Sequence, residues 1–281
     1  MKISGFTIAK NIVKYHYPAK EAIMAVLPIC DEFVINVGKS DDNTLEILRS
    51  IKDPKIKIIE RVWDGSQREK MLSVETNAAL AKCTGDWAFY VQTDELIHEQ
   101  DLGRLKRLMR KYLDDPDVDA LRFKWLHFYG SFYRYRIDPP WYQKQDRIIR
   151  NNGTVESWGD AYAFKKKDGS PLRSKKTGCY IYHYGWVSNP EKMSAKRQNA
   201  ASIGFARLSD NEKKASYDYG NLDRFPVYFG THPHVMKNFI QDHADSIEDW
   251  LRIKRKYFWS PLLWFRVRYK TFLRRKDPIP K

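Results

Sequence analysis

The first part of the chain alternates short apolar runs with stretches in which apolar residues recur every three or four positions, the pattern of strands joined by amphipathic helices. Strands are predicted over Ile3–Ala9 and residues 33–37, 55–60 and 87–91. Between them the spacing predicts helices over 19–27, where Ala22, Ile23, Val26 and Leu27 share a face and Pro28 stops the run, and over 44–51, 67–82 and 101–112, the last with Asp101 as an N-cap. This alternation builds a parallel sheet with crossover helices. Open sheets of that kind bind ligands in the crevice beyond the carboxyl ends of their strands. The strand over 87–91 is aromatic and β-branched, and it runs into Gln92-Thr93-Asp94-Glu95. Asp94 and Glu95 are therefore expected to face the crevice. Carboxylates there suit a hard divalent cation, Mg²⁺ or Mn²⁺, that clamps a pyrophosphate.

The second part is less regular. Strands are predicted over 118–128, with Leu121, Phe123 and Trp125 on one face, over 145–150 and over 178–186. Pro139-Pro140 and Asn151-Asn152-Gly153 mark loops or turns, residues 190–208 form a helix, and 245–275 form one or two more, interrupted at Pro261. The expected organisation is an α/β domain over 1–243 built on a mixed, mostly parallel sheet flanked by helices, with a nucleotide-binding half (1–115) and an acceptor half (116–243). A basic, aromatic helical extension over 244–281 follows.

With 281 residues and 42% hydrophobic content the chain can bury one sizeable core. The N-terminus lacks the pattern of a signal peptide, and no segment is apolar for the length of a bilayer. Cys30, Cys83 and Cys179 have no metal-ligand spacing and read as reduced thiols. Together these lead us to expect a cytoplasmic protein. The net charge of +15 gathers at the C-terminal end, where Arg252, Lys254, Arg255, Arg266, Arg268 and Arg274 alternate with Trp250, Trp259, Trp264 and Phe272. Such a helix suits the anionic inner face of a membrane, although packing on the core, or nucleic acid, would also use these residues. Nucleic acid is not the expected partner, because the cations lie outside the crevice and no nucleic-acid motif accompanies them.

The order of motifs resembles the family 2 glycosyltransferases, enzymes of the GT-A fold that use a nucleotide-sugar donor. The first strand runs into Lys10-Asn11, the second into Ser40-x-Asp42-x-Thr44, and Asn77-Ala78-Ala79-Leu80 precedes Gly85-Asp86-Trp87 and the carboxylate pair. The resemblance implies that Lys10, Asn11, Ser40, Asp42, Asn77, Gln92 and Thr93 meet the donor. Asp94 then binds the metal with support from Glu95, and His183, at the end of an aromatic strand, completes the metal site. It further implies an inverting transfer to a glycan or lipid-linked acceptor, with the base in the segment 155–162: Asp160 first, Glu156 second. Two positions depart from the family pattern. Gln92 stands where the first carboxylate of an Asp-x-Asp motif would be, and Val37, beside Asn36, stands where an acidic residue often meets the base. These departures keep open a catalytically idle protein that binds a sugar nucleotide without turning it over.

Overall fold

A computed structural model describes residues 1–258 apart from 139–140, 203 and 205–206. The expected alternation is present. Strand β1 (Ile3–Ala9) is followed by α1 (Ala19–Val26), β2 (Glu32–Gly38), α2 (Thr44–Arg49), β3 (Ile56–Arg61), α3 (Met71–Leu80) and β4 (Trp87–Tyr90). Then come β5 (Glu95–Ile97), α4 (Glu99–Lys111), β6 (Ala120–Tyr129), β7 (Tyr135–Arg136), β8 (Lys144–Arg150), β9 (Val155–Trp158), β10 (Ala163–Lys166) and β11 (Ser174–Trp186). Helices α5 (Pro190–Ser202), α6 (Lys237–Gln241) and α7 (Ala244–Phe258) close the described chain.

Among the described residues the main sheet has the order β3-β2-β1-β4-β8-β6-β11-β5, with β7 beside β6. Strands β3, β2, β1, β4, β6 and β11 run one way and β8, β5 and β7 the other. The architecture is the mixed, mostly parallel α/β sheet flanked by helices that was expected. Alternation along β4 shows how it is covered. Trp87, Phe89 and Val91 pack with Ala19, Ile23 and Val26 of α1 and Leu105 and Met109 of α4, whereas Ala88 and Tyr90 face Met71, Ala79 and Leu80 of α3. Successive side chains point to opposite faces, so one strand supplies both cores.

Four elements differ from expectation. The helix predicted over 67–82 is α only from Met71, because Asp64 accepts from the Ser66 N–H at 2.9 Å and the chain first makes a tight 3₁₀ turn over Gly65–Lys70. Helix α4 is capped by the His98 ring, which accepts from the Gln100 N–H at 3.4 Å; Asp101 instead lies in its first turn, where it favours the helix dipole. After β4 the chain leaves its neighbours and enters β5, which pairs antiparallel with β11 at the far edge of the sheet. Residues 155–162, read from the sequence as a loop, instead open the hairpin β9-β10.

The cysteines are free and buried. Helix α7 is tied to the body through Arg134, a buried guanidinium whose Nε donates to Asp249 at 3.2 Å and whose Nη2 donates to Asp223 at 2.9 Å. Trp250 stacks on Tyr133 with ring centroids 4.5 Å apart. The rest of the basic, aromatic extension, from residue 259, lies outside the described residues. No helix among those described is long and apolar enough to cross a membrane.

Candidate active site

A cleft of about 320 Å³ opens beyond the carboxyl ends of β1 and β4. Of the residues singled out from the sequence, Lys10, Asn11, Gln92, Thr93, Asp94 and Asp160 line it, joined by Trp63, Tyr142, Tyr162, Lys196 and Arg197. Lys10, Lys196 and Arg197 bring cations to a wall that also carries Asp94 and Asp160, so the cleft suits an anionic ligand with a polar reacting end.

Asp94 sits in the turn between β4 and β5 and is 8% exposed. Its Oδ2 lies 3.7 Å from His183 Nε2 and 3.5 Å from the Lys196 ammonium. A chain of hydrogen bonds fixes the tautomer of His183. His127 Nε2 donates to the Tyr142 carbonyl at 2.7 Å, which leaves its Nδ1 as the acceptor for His183 Nδ1–H at 3.0 Å. Burial lowers the pKa of His127 and takes that of His183 well below its ordinary value, which favours the neutral form of both rings. His183 Nε2 therefore presents a bare lone pair toward a carboxylate oxygen, with its other nitrogen held in the way metal-bound imidazoles are held. The space beside them exists because residue 185 is glycine: a Cβ there would stand 2.5 Å from Asp94 Oδ2 and 2.7 Å from His183 Nε2.

Glu95, the next residue, points the other way. Its oxygens accept from Arg147 Nε at 2.7 Å and Nη2 at 2.8 Å, and both side chains are fully buried. This corrects the expectation that Glu95 supports a metal, since a bidentate pair leaves it no free direction into the cleft. Burial works against the Arg147 charge, but Glu95 outweighs it and raises the pKa. The pair instead reaches the opposite wall, where Arg147 Nη1 donates to the Tyr162 carbonyl at 2.9 Å. Gln92 does the same one residue earlier, donating from Nε2 to the Ala161 carbonyl at 3.1 Å.

Those carbonyls belong to the tight turn that carries Asp160 between β9 and β10. Gly159 and Ala161 both adopt left-handed backbone angles, φ +63° in each case. For alanine that costs roughly 1 kcal/mol, and the grip of Gln92 and Arg147 on the turn offsets it. Asp160 reaches solvent at the mouth of the cleft, yet the protein around it raises its pKa by displacing water. Glu156 is on the outer edge of the hairpin, 3.6 Å from Lys165, and does not line the cleft. It is thus displaced from its place as second candidate base.

Three further expectations are redirected. Asn77 spends its amide on β9, donating to the Ser157 carbonyl at 2.9 Å and accepting from the Ser157 N–H at 2.7 Å. Ser40 accepts from the Asn11 N–H at 3.0 Å and Asp42 from the Lys14 N–H at 2.8 Å, while Thr44 accepts from the Ile12 N–H at 2.9 Å. The Ser-x-Asp-x-Thr segment therefore braces the turn after β1, whose Asn11 sits at φ +52°, and borders a separate shallow depression. Lys10 and Asn11, which line the cleft, are set in place by residues that do not themselves line it. Replacing Asn77 by alanine is expected to destabilise the fold by about 1–3 kcal/mol, the cost of stranding the Ser157 groups, read by urea denaturation. A variant with an unchanged midpoint would show that the brace carries no load.

Sequence reasoning missed Lys196 and Arg197 altogether. They lie on α5, whose apolar positions form no clear stripe, so nothing in its pattern marks the face that meets the cleft.

Among solved structures, S. aureus TarS matches with a TM-score of 0.43 and 18% identity over 75% of this chain and 41% of that one. TarS residues 1–349 in complex with UDP match at a TM-score of 0.42 and 18% identity, over 75% and 68% of the two chains. Glucosyl-3-phosphoglycerate synthase from Mycobacterium tuberculosis, in complex with Mn²⁺, UDP-glucose and phosphoglyceric acid, matches at 0.32 and 15%, over 44% of each chain. The match thus spans about two fifths of that TarS chain. No curated protein matches. Residues 27–172, more than half of the chain, match the family model of glycosyl transferase family 2, and the chain belongs to that family.

Proposed function

We propose that this family 2 enzyme transfers a sugar, with inversion, from a nucleoside diphosphate donor to a hydroxyl of a glycan or lipid-linked acceptor. The observation that carries this reading is one cleft lined by Asp94 and Asp160 together with Lys10, Lys196 and Arg197. The cations suit the donor's diphosphate, and Asp160, at the cleft mouth, suits an acceptor entering from solvent. In this reading Asp160 accepts the proton of the acceptor hydroxyl as its oxygen attacks the anomeric carbon, and the nucleoside diphosphate departs from the opposite face. A carboxylate with a raised pKa is the better proton acceptor near neutral pH.

Asp94 and His183 would hold a divalent metal. Among the described residues no three His, Cys, Asp or Glu side chains gather into a complete ligand set. A carboxylate oxygen and an imidazole lone pair 3.7 Å apart suit a divalent cation that would also take up phosphate oxygens and water. When bound, such a metal neutralises the charge that develops on the leaving diphosphate. Gly185→Ala, which fills the cradle beside these two side chains, is expected to weaken Mn²⁺ binding by roughly 10- to 100-fold, the range seen when the surroundings of metal ligands are disturbed. Electron paramagnetic resonance titration of Mn²⁺ checks this, and equal affinity in the variant would move the metal elsewhere.

The decisive test is a transfer and hydrolysis assay across UDP-, GDP- and dTDP-sugars with and without Mn²⁺, beside calorimetry of the nucleotides. Mn²⁺-dependent binding with turnover supports the proposal. Binding without any turnover would favour a catalytically idle sugar-nucleotide-binding protein, and neither would remove the reading. The acceptor class would place the enzyme at a membrane surface, with the basic extension from residue 244 as its contact. Loss of binding to vesicles containing anionic lipid on truncation there is the expected result.

A further inference from the structure

Lys196 has no counterpart in the sequence reading, and its surroundings are unusual for a lysine. Its side chain is only 18% exposed, its ammonium donates to the Gly185 carbonyl at 2.6 Å, and it lies 4.2 Å from the centre of the Tyr17 ring. The charge it faces is Asp94 Oδ2, at 3.5 Å. That oxygen is the one nearest to the His183 lone pair, at 3.7 Å. An ammonium and a divalent cation would therefore compete for the same carboxylate oxygen.

We propose that Lys196 is a built-in cation of the diphosphate site: it holds the place beside Asp94 when metal is absent, and it binds the donor's diphosphate directly. This rests on the assignment of the cleft to a nucleoside diphosphate donor. Three features support it. The ammonium borders the cleft, so an anion entering there meets it. Its partners are a carbonyl, a ring face and one carboxylate, so part of its charge is available to a further anion. Arg197, the next residue, is held by Glu212 and lies over Trp186, which leaves Lys196 as the cation nearest Asp94 on this helix. Gln92 adds a reason for such a device. With an amide in place of a carboxylate, the turn after β4 carries one negative charge fewer for a divalent cation, and a resident ammonium supplies part of the positive charge that a tightly held metal would.

The proposal makes two opposite demands on one substitution. Lys196→Met keeps the length and apolar stem of the side chain and removes the charge. Mn²⁺ alone, titrated by electron paramagnetic resonance, is expected to bind the variant at least about tenfold more tightly, because no ammonium has to be displaced from Asp94. Inorganic pyrophosphate, titrated by calorimetry in the presence of EDTA, is expected to bind it at least about tenfold more weakly, because the direct partner is gone. Lys196→Arg, which keeps the charge, should retain most of the pyrophosphate affinity and serves as the folding control. Both shifts together support the proposal, and the absence of either overturns it. Asp94→Asn separates this inference from the one beneath it. If that variant loses Mn²⁺ binding while Lys196→Met behaves as wild type, only the role of Lys196 fails. If Asp94→Asn still binds Mn²⁺ as wild type does, the assignment of the metal site fails with it.

Discussion

Asp94→Asn is expected to abolish metal-dependent nucleotide binding and to lower kcat/KM for sugar transfer by roughly 10³-fold, the several kcal/mol that a positioned metal contributes to a departing diphosphate. The geometry explains why so small a change should matter. Asp94 Oδ2 is the common neighbour of His183 Nε2 and the Lys196 ammonium. An asparagine of the same shape removes the charge that draws a cation, and its amide nitrogen can donate to the bare His183 lone pair and fill the cradle from within. The fold should survive, because the main sheet and both cores lie behind this turn and make no use of the carboxylate. Calorimetry of nucleotide binding with and without Mn²⁺, beside a circular dichroism melt, separates the two effects. Undiminished Mn²⁺-dependent binding in a folded variant would take Asp94 out of the site.

The position of Asp94 was legible in the sequence because it depends on a local rule: a strand of alternating buried residues ends, and the next polar residues lie at the sheet's carboxyl edge. Glu95 was not, although it is the adjacent residue. It already belongs to β5, and the two-residue period of a strand turns it to the opposite side, where its partner Arg147 arrives from 52 positions downstream. No local pattern announces a pairing at that separation. Ser40, Asp42 and Asn77 show a related limit. Their spacing identified the family correctly, but the same short polar side chains can touch a ligand or hold a loop, and here they hold the turn after β1 and the strand β9. The departure at Gln92 reads differently once the fold is known. Its amide donates to the Ala161 carbonyl, a bond no carboxylate could make, so the residue that departs from the family pattern ties the turn after β4 to the turn bearing Asp160. Hairpin β9-β10 escaped notice because each of its strands has only four residues, too few for alternation to separate from a loop.

The second large effect is expected at that turn. Asp160→Asn should lower kcat by about 10²- to 10⁴-fold, the range for losing a general base, while donor and Mn²⁺ affinity stay near wild type, because Asp94, His183 and Lys196 are untouched. The pH profile carries the sharper signature. Displacement of water by the surrounding protein raises the Asp160 pKa, so the wild-type acid limb should lie above that of an ordinary aspartate. Activity then falls as pH drops through that raised value, since only the ionised form accepts a proton. For stability the sign is reversed. A carboxylate whose folded pKa is raised is held less easily as an anion than in the unfolded chain, so its ionisation costs stability as pH rises above the unfolded value. Asp160→Asn should therefore raise Tm slightly at pH 8, and the gain should fade as pH falls through the raised folded value and vanish well below the ordinary aspartate value, where the side chain is neutral in both states; the gain is small because Asp160 reaches solvent. A variant that loses Tm at pH 8, or that keeps the acid limb of the wild type in its residual activity, would show that Asp160 shapes the hairpin rather than taking the proton.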